Sequence, residues 1–274
     1  MVPPADAANE RPIGIFDSGF GGLTVARSLI DLLPAEHLVY VGDTGRYPYG
    51  PRPADQVRKF AIEIADYLVT EVGCKLLVVA CNTAASVALD DITERHDVPV
   101  VGVLEPGMRA AAQATRNGRV GIIGTVGTIA SGAYQRLGAS MASGVVAVCA
   151  ACPGFVEFVE RGETGSDQVH VLAERLLAPL RRAQVDTLLL GCTHYPYLAR
   201  TIGDVMGREV VLVSSAEETA FDVLARIERL GIDRQPGQAP SHRWLSSGDV
   251  DWFVEMGRRL LGPELESAER ISVA

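Results

Sequence analysis

Lys75-Leu-Leu-Val-Val-Ala-Cys81-Asn-Thr83 and Asp186-Thr-Leu-Leu-Leu-Gly-Cys192-Thr-His194 share one pattern. In each, an apolar run of the length of a fully buried strand stops at a cysteine, and groups able to donate or accept protons follow. The chain is therefore expected to present two thiols at equivalent strand ends, each followed by a loop that opens a helix.

The equivalence extends along the chain. The runs starting at Ile13, Leu38 and Val98 and the run ending at Cys81 align with those starting at Val120, Val145 and Glu209 and the run ending at Cys192. The offsets are 120 − 13 = 107, 145 − 38 = 107, 209 − 98 = 111 and 192 − 81 = 111. Near-constant spacings of this kind indicate two copies of one α/β unit. Helical patterns over Asp55 to Glu71 and Val169 to Gln184 separate the runs, which predicts parallel sheets with crossover helices. Ligands of such sheets collect beyond the carboxyl ends of the strands. The expected fold is α/β: two similar doubly wound domains with mainly parallel sheets, related by a pseudo-two-fold axis, with Cys81 and Cys192 facing each other across the cleft.

From Ser214 onward the chain belongs to neither copy. It reads as a helix over Glu217 to Leu230, a turn over Gln235 to Pro240, a strand over Arg243 to Ser246 and a helix over Asp251 to Leu261. An exit strand and helix need an existing sheet to pack on. The tail is thus expected to complete the first domain, giving 1–104 with 214–274 as one domain and 105–213 as the other.

With 274 residues, 47% of them hydrophobic, the chain can bury one large core or two moderate ones. A net charge of −9 and the lack of any basic run longer than two residues argue against a nucleic-acid surface. No apolar stretch reaches the roughly 18 residues of a membrane span. Met1 to Pro12 is polar and Pro-rich, reads as neither signal nor anchor, and is expected to be disordered. A cytoplasmic location, where thiols stay reduced, is expected. The only lysines are Lys59, inside a helical pattern, and Lys75, at the wrong end of its strand for the cleft. Pyridoxal chemistry, which needs a Schiff-base lysine, is disfavoured. No Walker A sequence is present. The expected cofactor is none, and no metal is expected.

A lone buried cysteine is usually just a small hydrophobe. Here Asn82-Thr83 and Thr193-His194 set donors and a base next to the thiols, and such neighbours make a cysteine reactive. Cys149-Ala-Ala-Cys152 has no second CxxC and no suitably spaced histidines, so it reads as strand-end packing, and Cys74 reads as core. The first strand ends in Asp17-Ser-Gly-Phe-Gly-Gly22, whose glycines let backbone N–H groups approach an anion. Asp17 is placed opposite Thr125 of the second copy, either to act in the cleft or to cap the following helix. The stretch Gly42 to Gly50 is a tyrosine-containing loop on the cleft side. Thr125 and Thr128 could cap a helix or donate to a carboxylate, and Glu160 by itself reads as a solvated helix charge. His37, His96, His170 and His242 stand alone and take no role. Two thiols on opposite walls suggest that one removes a proton from a tetrahedral carbon and the other returns a proton to the opposite face. That is a racemase or epimerase.

The stretches Ile13 to Thr24, Gly42 to Gly50, Ala80-Cys-Asn-Thr83, Leu104-Glu-Pro106, Gly121 to Thr125 and Leu190-Gly-Cys-Thr-His-Tyr-Pro196 resemble, in order, the bacterial glutamate racemase family. The resemblance implies two doubly wound domains with the active site between them and no cofactor. It implies that Cys81 takes the proton from D-glutamate and Cys192 from L-glutamate, with Asp17 assisting on the Cys81 side and Glu160 and His194 on the other. Substrate contacts would come from Asp17, Ser18, Tyr49, Gly50, Asn82, Thr83, Thr125, Thr128, Thr193 and His194. The implied partner is glutamate, with no nucleic acid and no membrane, in a homodimer that makes D-glutamate for peptidoglycan. The sequence departs from the family at Ala85, a place often held by Ser or Thr. A related racemase acting on aspartate, which is one methylene shorter, and a non-catalytic module for an anionic metabolite are the alternatives.

Overall fold

A computed structural model describes residues 9–141 and 144–273. Of the Met1 to Pro12 segment, residues 1–8 lie outside the described residues. The first unit runs β1 (Ile13–Asp17), α1 (Leu23–Leu32), β2 (Leu38–Gly42), α2 (Ala54–Thr70), β3 (Leu76–Val79), α3 (Asn82–Arg95), β4 (Val100–Gly102) and α4 (Leu104–Ala114). The second runs β5 (Arg119–Gly124), α5 (Val126–Ala130), α6 (Ala133–Ser140), β6 (Val146–Ala151), α7 (Phe155–Glu160), α8 (Asp167–Arg182) and β7 (Thr187–Gly191). A short 3-10 turn (Tyr195–Leu198), α9 (Ala199–Met206) and β8 (Val211–Ser214) close it.

The strand order β2-β1-β3-β4 of the first sheet returns as β6-β5-β7-β8 in the second, and every pairing is parallel. The two-copy reading and the α/β fold class therefore hold. Burial explains why these strands were readable: β1, β3 and β7 are buried at every residue, so each is a continuous apolar run. The helices are legible for a different reason. In α8, Val169, Ala173, Leu177 and Leu180 form one buried stripe, Ser166 caps the N-terminus by accepting the Val169 N–H, and Arg181 and Arg182 meet the C-terminal end of the dipole.

The register corrects three details. Phe16 lies opposite Val79 and Ile123 opposite Leu190, so Thr125 is the counterpart of Ser18, and Asp17 matches Gly124. The second strands are offset by 147 − 38 = 109, since Ile13 pairs with Leu38 and Val120 with Ala147. The fourth are offset by 212 − 100 = 112, since Leu77 pairs with Val100 and Leu188 with Leu212. The offsets of 107 and 111 survive on the central strands, where burial on both faces fixes register; β6 and β8 are edge strands, half-exposed, and free to shift with their connections.

After β8 come α10 (Ser215–Leu230), β9 (His242–Ser246), α11 (Val250–Leu261) and β10 (Glu269–Arg270). β9 adds parallel to β2, and the two-residue β10, too short for a sequence pattern, adds to β9. This makes the first sheet six-stranded against four in the second. α10 packs on both α1 and α4, both α4 and α10 contact β7, and the larger core includes Val120, Ile122 and Leu189 of the second sheet. The two walls of the cleft thus rest on shared packing. Lys75 is buried at the opposite end of the sheet, 2.6 Å from Glu36, and Cys74 lies in the core, as expected. Among the described residues, no helix is long and apolar enough to cross a membrane.

Candidate active site

In each sheet the order of strands reverses between the first and third strands, β1 and β3 in one and β5 and β7 in the other. The crevice of such a sheet opens at the carboxyl ends of those strands. Both thiols stand there. Cys81 and Cys192, 5% and 6% exposed, line a single cavity of about 110 Å³.

The two strand ends differ in construction. Cys81 is itself the N-cap of α3, with no intervening loop, and its sulfur accepts the Ala84 N–H at 3.5 Å. A helix N-terminus favours a thiolate, yet burial outweighs it. Burial, reinforced by the charge of Asp17, pushes the Cys81 thiol up to about 12, against the Ala84 N–H and the Ser18 hydroxyl and N–H. Cys192 is followed by the expected turn, which places His194 Nδ1 3.9 Å from its sulfur. His194 Nε2 lies 3.7 Å from Glu160 Oε1, a charge contact rather than a hydrogen bond. Burial alone would lower the His194 imidazole, but its Cys192 and Glu160 partners, with Asp17, raise it to about 10. These partners favour the charged form of His194 beside Cys192.

Asp17 is buried under the cavity rather than lining it. Its Oδ1 accepts the Gly19 N–H at 2.8 Å and its Oδ2 accepts from the Thr193 hydroxyl at 3.3 Å, so it joins the β1 turn to the β7 turn. It does not cap α1, whose N-cap is Gly22. Burial pushes its carboxyl upward, against His194 and the hydrogen bonds it accepts.

Neutral donors complete the walls. Thr83, Thr125 and Thr128 form a hydroxyl triangle between the two units, with Oγ1 separations of 2.9, 3.2 and 3.0 Å. Thr125 also caps α5 by accepting the Thr128 N–H, so the capping alternative holds for it, and Thr128 stands behind the lining. The Tyr134 hydroxyl donates to Asn82 Oδ1 at 2.6 Å, which leaves Asn82 Nδ2 as a buried donor without a partner among the described residues. Gly50 accepts the Gly127 N–H at 2.9 Å and binds the two units by backbone. The Tyr49 ring lines the cavity, but its hydroxyl donates to Asp43. Ser18, Thr193 and His194 also line it.

Sequence reasoning gave no cavity role to Tyr47, Val126, Cys152, Val156, Glu157 and Tyr195, which line the same cavity. The tyrosine content of the Gly42 to Gly50 loop pointed towards Tyr47, and Val126 and Tyr195 are the chain neighbours of Thr125 and His194; Cys152, Val156 and Glu157 come close only through tertiary packing. Cys152 belongs to the second core, and Cys149 packs against the first, so the CxxC is not a dithiol centre. Among the described residues the lining contains no lysine or arginine. An amino-acid substrate here would have its carboxylates held by hydroxyl, amide and backbone donors.

Residues 13–220 match the model of the Asp/Glu/hydantoin racemase family. The chain belongs to this family. Among curated relatives, a glutamate racemase of Parafrankia sp. (strain EAN1pec) is 55% identical, over 93% of this chain and 92% of the relative. Among solved structures, a glutamate racemase isoform from Bacillus anthracis is 39% identical with a TM-score of 0.90, covering 97% of this chain and 98% of that one. A glutamate racemase from Francisella tularensis, solved in complex with D-glutamate, is 28% identical with a TM-score of 0.91 over the same shares.

Proposed function

We propose that this chain interconverts L- and D-glutamate without a cofactor, by a two-thiol proton transfer at Cα. The observation that carries the reading is the placement of Cys81 and Cys192 at equivalent strand ends of two like sheets, on one cavity. The glutamate racemases to which the chain is similar support glutamate as the substrate.

In the L-to-D direction, the Cys192 sulfur, as thiolate, takes the Cα proton, and its charge is met by the His194 imidazolium. The electron pair left on carbon delocalises into the α-carboxylate, which neutral donors such as Asn82 Nδ2 and the Thr83 and Thr125 hydroxyls stabilise. Cys81, held protonated by its burial, then delivers its proton to the opposite face. The reverse reaction exchanges the roles. Each L-to-D turnover leaves Cys192 as the thiol and Cys81 as the thiolate, and proton exchange with water restores the starting state; Asp17 lies beside Cys81, while Glu160 holds His194. The burial of both thiols, Asp17 and His194 makes each of these charges count for more than it would in water.

We further propose that the D-glutamate feeds peptidoglycan synthesis, that the enzyme works in the cytoplasm as a homodimer, and that its domains are 1–104 with 214–274 and 105–213. β9 and β10 joining the first sheet support the last of these.

The test is optical. Protein dialysed exhaustively against a chelator and a carbonyl reagent should bring a solution of pure L-glutamate to zero rotation with nothing added. Activity that returns only with pyridoxal phosphate or a metal ion would overturn the cofactor-free reading. Faster loss of rotation with L-aspartate would move the substrate to the shorter acid.

Asp17→Asn and His194→Asn should each lower kcat by about 10²–10⁴ and stay folded, as expected for groups that tune an acid or base. Steady-state rates checked against circular dichroism decide the matter, and a wild-type kcat in either variant removes that residue from the mechanism.

A further inference from the structure

Tyr47 belongs to both walls of the cleft. Its ring packs on the first unit, with its centroid 6.1 Å from Phe20 and 6.2 Å from Trp252 on α11, edge-on to both. Phe20 and Trp252 are themselves 4.6 Å apart. Beneath the ring lies Gly19, where a Cβ would come within 2.7 Å of ring Cδ2, so a close approach of this kind needs glycine. The hydroxyl leaves this cluster and donates to Glu160 Oε1 on α7, in the second unit.

That same oxygen is the one 3.7 Å from His194 Nε2, and His194 Nδ1 in turn faces Cys192 Sγ. A line of contacts therefore runs from α11 across the cleft to one thiol. The groups that act most on the Cys81 thiol are Asp17, Ser18 and the Ala84 N–H, and among the described residues Tyr47 makes no side-chain hydrogen bond to any of them. The line is selective for the Cys192 wall.

Physical chemistry says what such a line does. A tyrosine has only two side-chain torsions, and rings packed around it fix both, so its hydroxyl is a rigid donor. Burial and the charge of Glu160 push that hydroxyl far above its ordinary range, so it stays protonated at any working pH. A hydrogen bond to a carboxylate is charge-assisted and directional, and here it holds the oxygen that faces the imidazole. His194 is faced by Cys192, Glu160 and Asp17, and Glu160 by Tyr47 and His194.

We propose that Tyr47 is a positioning residue for the Cys192 half-reaction: it aims Glu160, which keeps His194 aligned on the Cys192 sulfur. The proposal rests on the two-thiol reading and adds to it an asymmetry between the walls.

Enantiomers have equal free energy, so kcat/KM must be the same in both directions and cannot report a one-sided defect. Isotope effects can. Tyr47→Phe keeps the ring in its cluster and removes only the hydroxyl. It should lower kcat/KM by about 10- to 100-fold, the scale of a slightly misplaced catalytic group. Proton transfer at Cys192 then limits the rate. The Cα-deuterium isotope effect on kcat/KM should rise with deuterated L-glutamate, whose proton Cys192 takes, and fall towards unity with deuterated D-glutamate. Because the hydroxyl acts only through the carboxylate, adding Glu160→Gln should cost Tyr47→Phe much less than it costs the wild type.

Unchanged rate and isotope effects, isotope effects that move together for both enantiomers, or fully additive losses would each overturn the proposal. Wild-type protein inert towards glutamate removes the two-thiol reading and this proposal with it. Active wild type, an inactive Cys192→Ala and a Tyr47→Phe that behaves as wild type remove the proposal alone.

Discussion

Cys81→Ala and Cys192→Ala should each cut racemisation by about 10⁴-fold or more, because either change removes one of two obligatory proton carriers. Neither should unfold the protein. Both sulfurs are nearly buried but edge a cavity, so truncation enlarges existing space instead of opening a new void in the core. The two variants should nonetheless remain distinguishable. Consider a glutamate analogue bearing a leaving group on nitrogen. One thiolate takes the Cα proton, the electron pair forms the C=N bond, and the leaving group departs with the N–X pair; the imine then hydrolyses to the keto acid. No second thiol is needed. Cys81→Ala should process the L-analogue through Cys192, and Cys192→Ala the D-analogue through Cys81. Keto-acid release measured for each variant with each enantiomer gives the answer, and equal residual rates on both enantiomers would mean that the thiols do not flank the substrate.

Gly21→Ala is expected to lose most of its activity through a single added carbon. A Cβ at Gly21 would sit 2.2 Å from Thr193 Oγ1 and 2.5 Å from His194 Nδ1, far inside contact distance. Neither neighbour can yield without consequence. The Thr193 hydroxyl is bonded to Asp17, and His194 Nδ1 is the atom that faces Cys192. The fold itself has more room to adapt, since the clash lies at the cavity wall, and overpacking of this kind typically costs about 1–3 kcal/mol. The catalytic loss should be larger, about 10²-fold or more in kcat, because relocating a reacting group by about 1 Å costs that much. Parallel measurement of kcat and of the denaturant midpoint separates the two. A variant with wild-type kcat would show that the turn at Thr193 and His194 is not held in a demanding geometry.

What the sequence disclosed follows from where each kind of information resides. β3 and β7 are buried on both faces, so their composition announces them, and the residue at which the apolar run stops is the residue that meets the cleft. Cys81 and Cys192 were legible for that reason. Pairings fixed by edge strands were not: the β6 and β8 offsets depend on connections whose lengths carry no apolar signal. The match of Asp17 to Thr125 failed by one residue at the strand end, where the ladder stops enforcing register. Asp17 read as a residue of the cleft or a cap of α1 and is instead a buried link between two turns. Tyr47 and Glu160 lie 113 positions apart, and no local pattern could announce that one serves the other. Cys152 shows the converse, since its CxxC spacing suggests a pair, yet Cys149 packs with the first core and Cys152, one residue past β6, with the second.

The central claim is that two different groups serve the two faces of Cα, and racemisation of L-glutamate in deuterium oxide tests it most directly. If Cys192 removes the proton and a solvent-exchanged Cys81 supplies the other, D-glutamate should carry deuterium at Cα from the earliest turnovers, while unreacted L-glutamate keeps its protium. Mass spectrometry of the separated enantiomers at low conversion reads this out. Early D-glutamate that retains the original proton, or deuterium appearing equally in both pools, would mean that one group works both faces, and the two-thiol account would be contradicted.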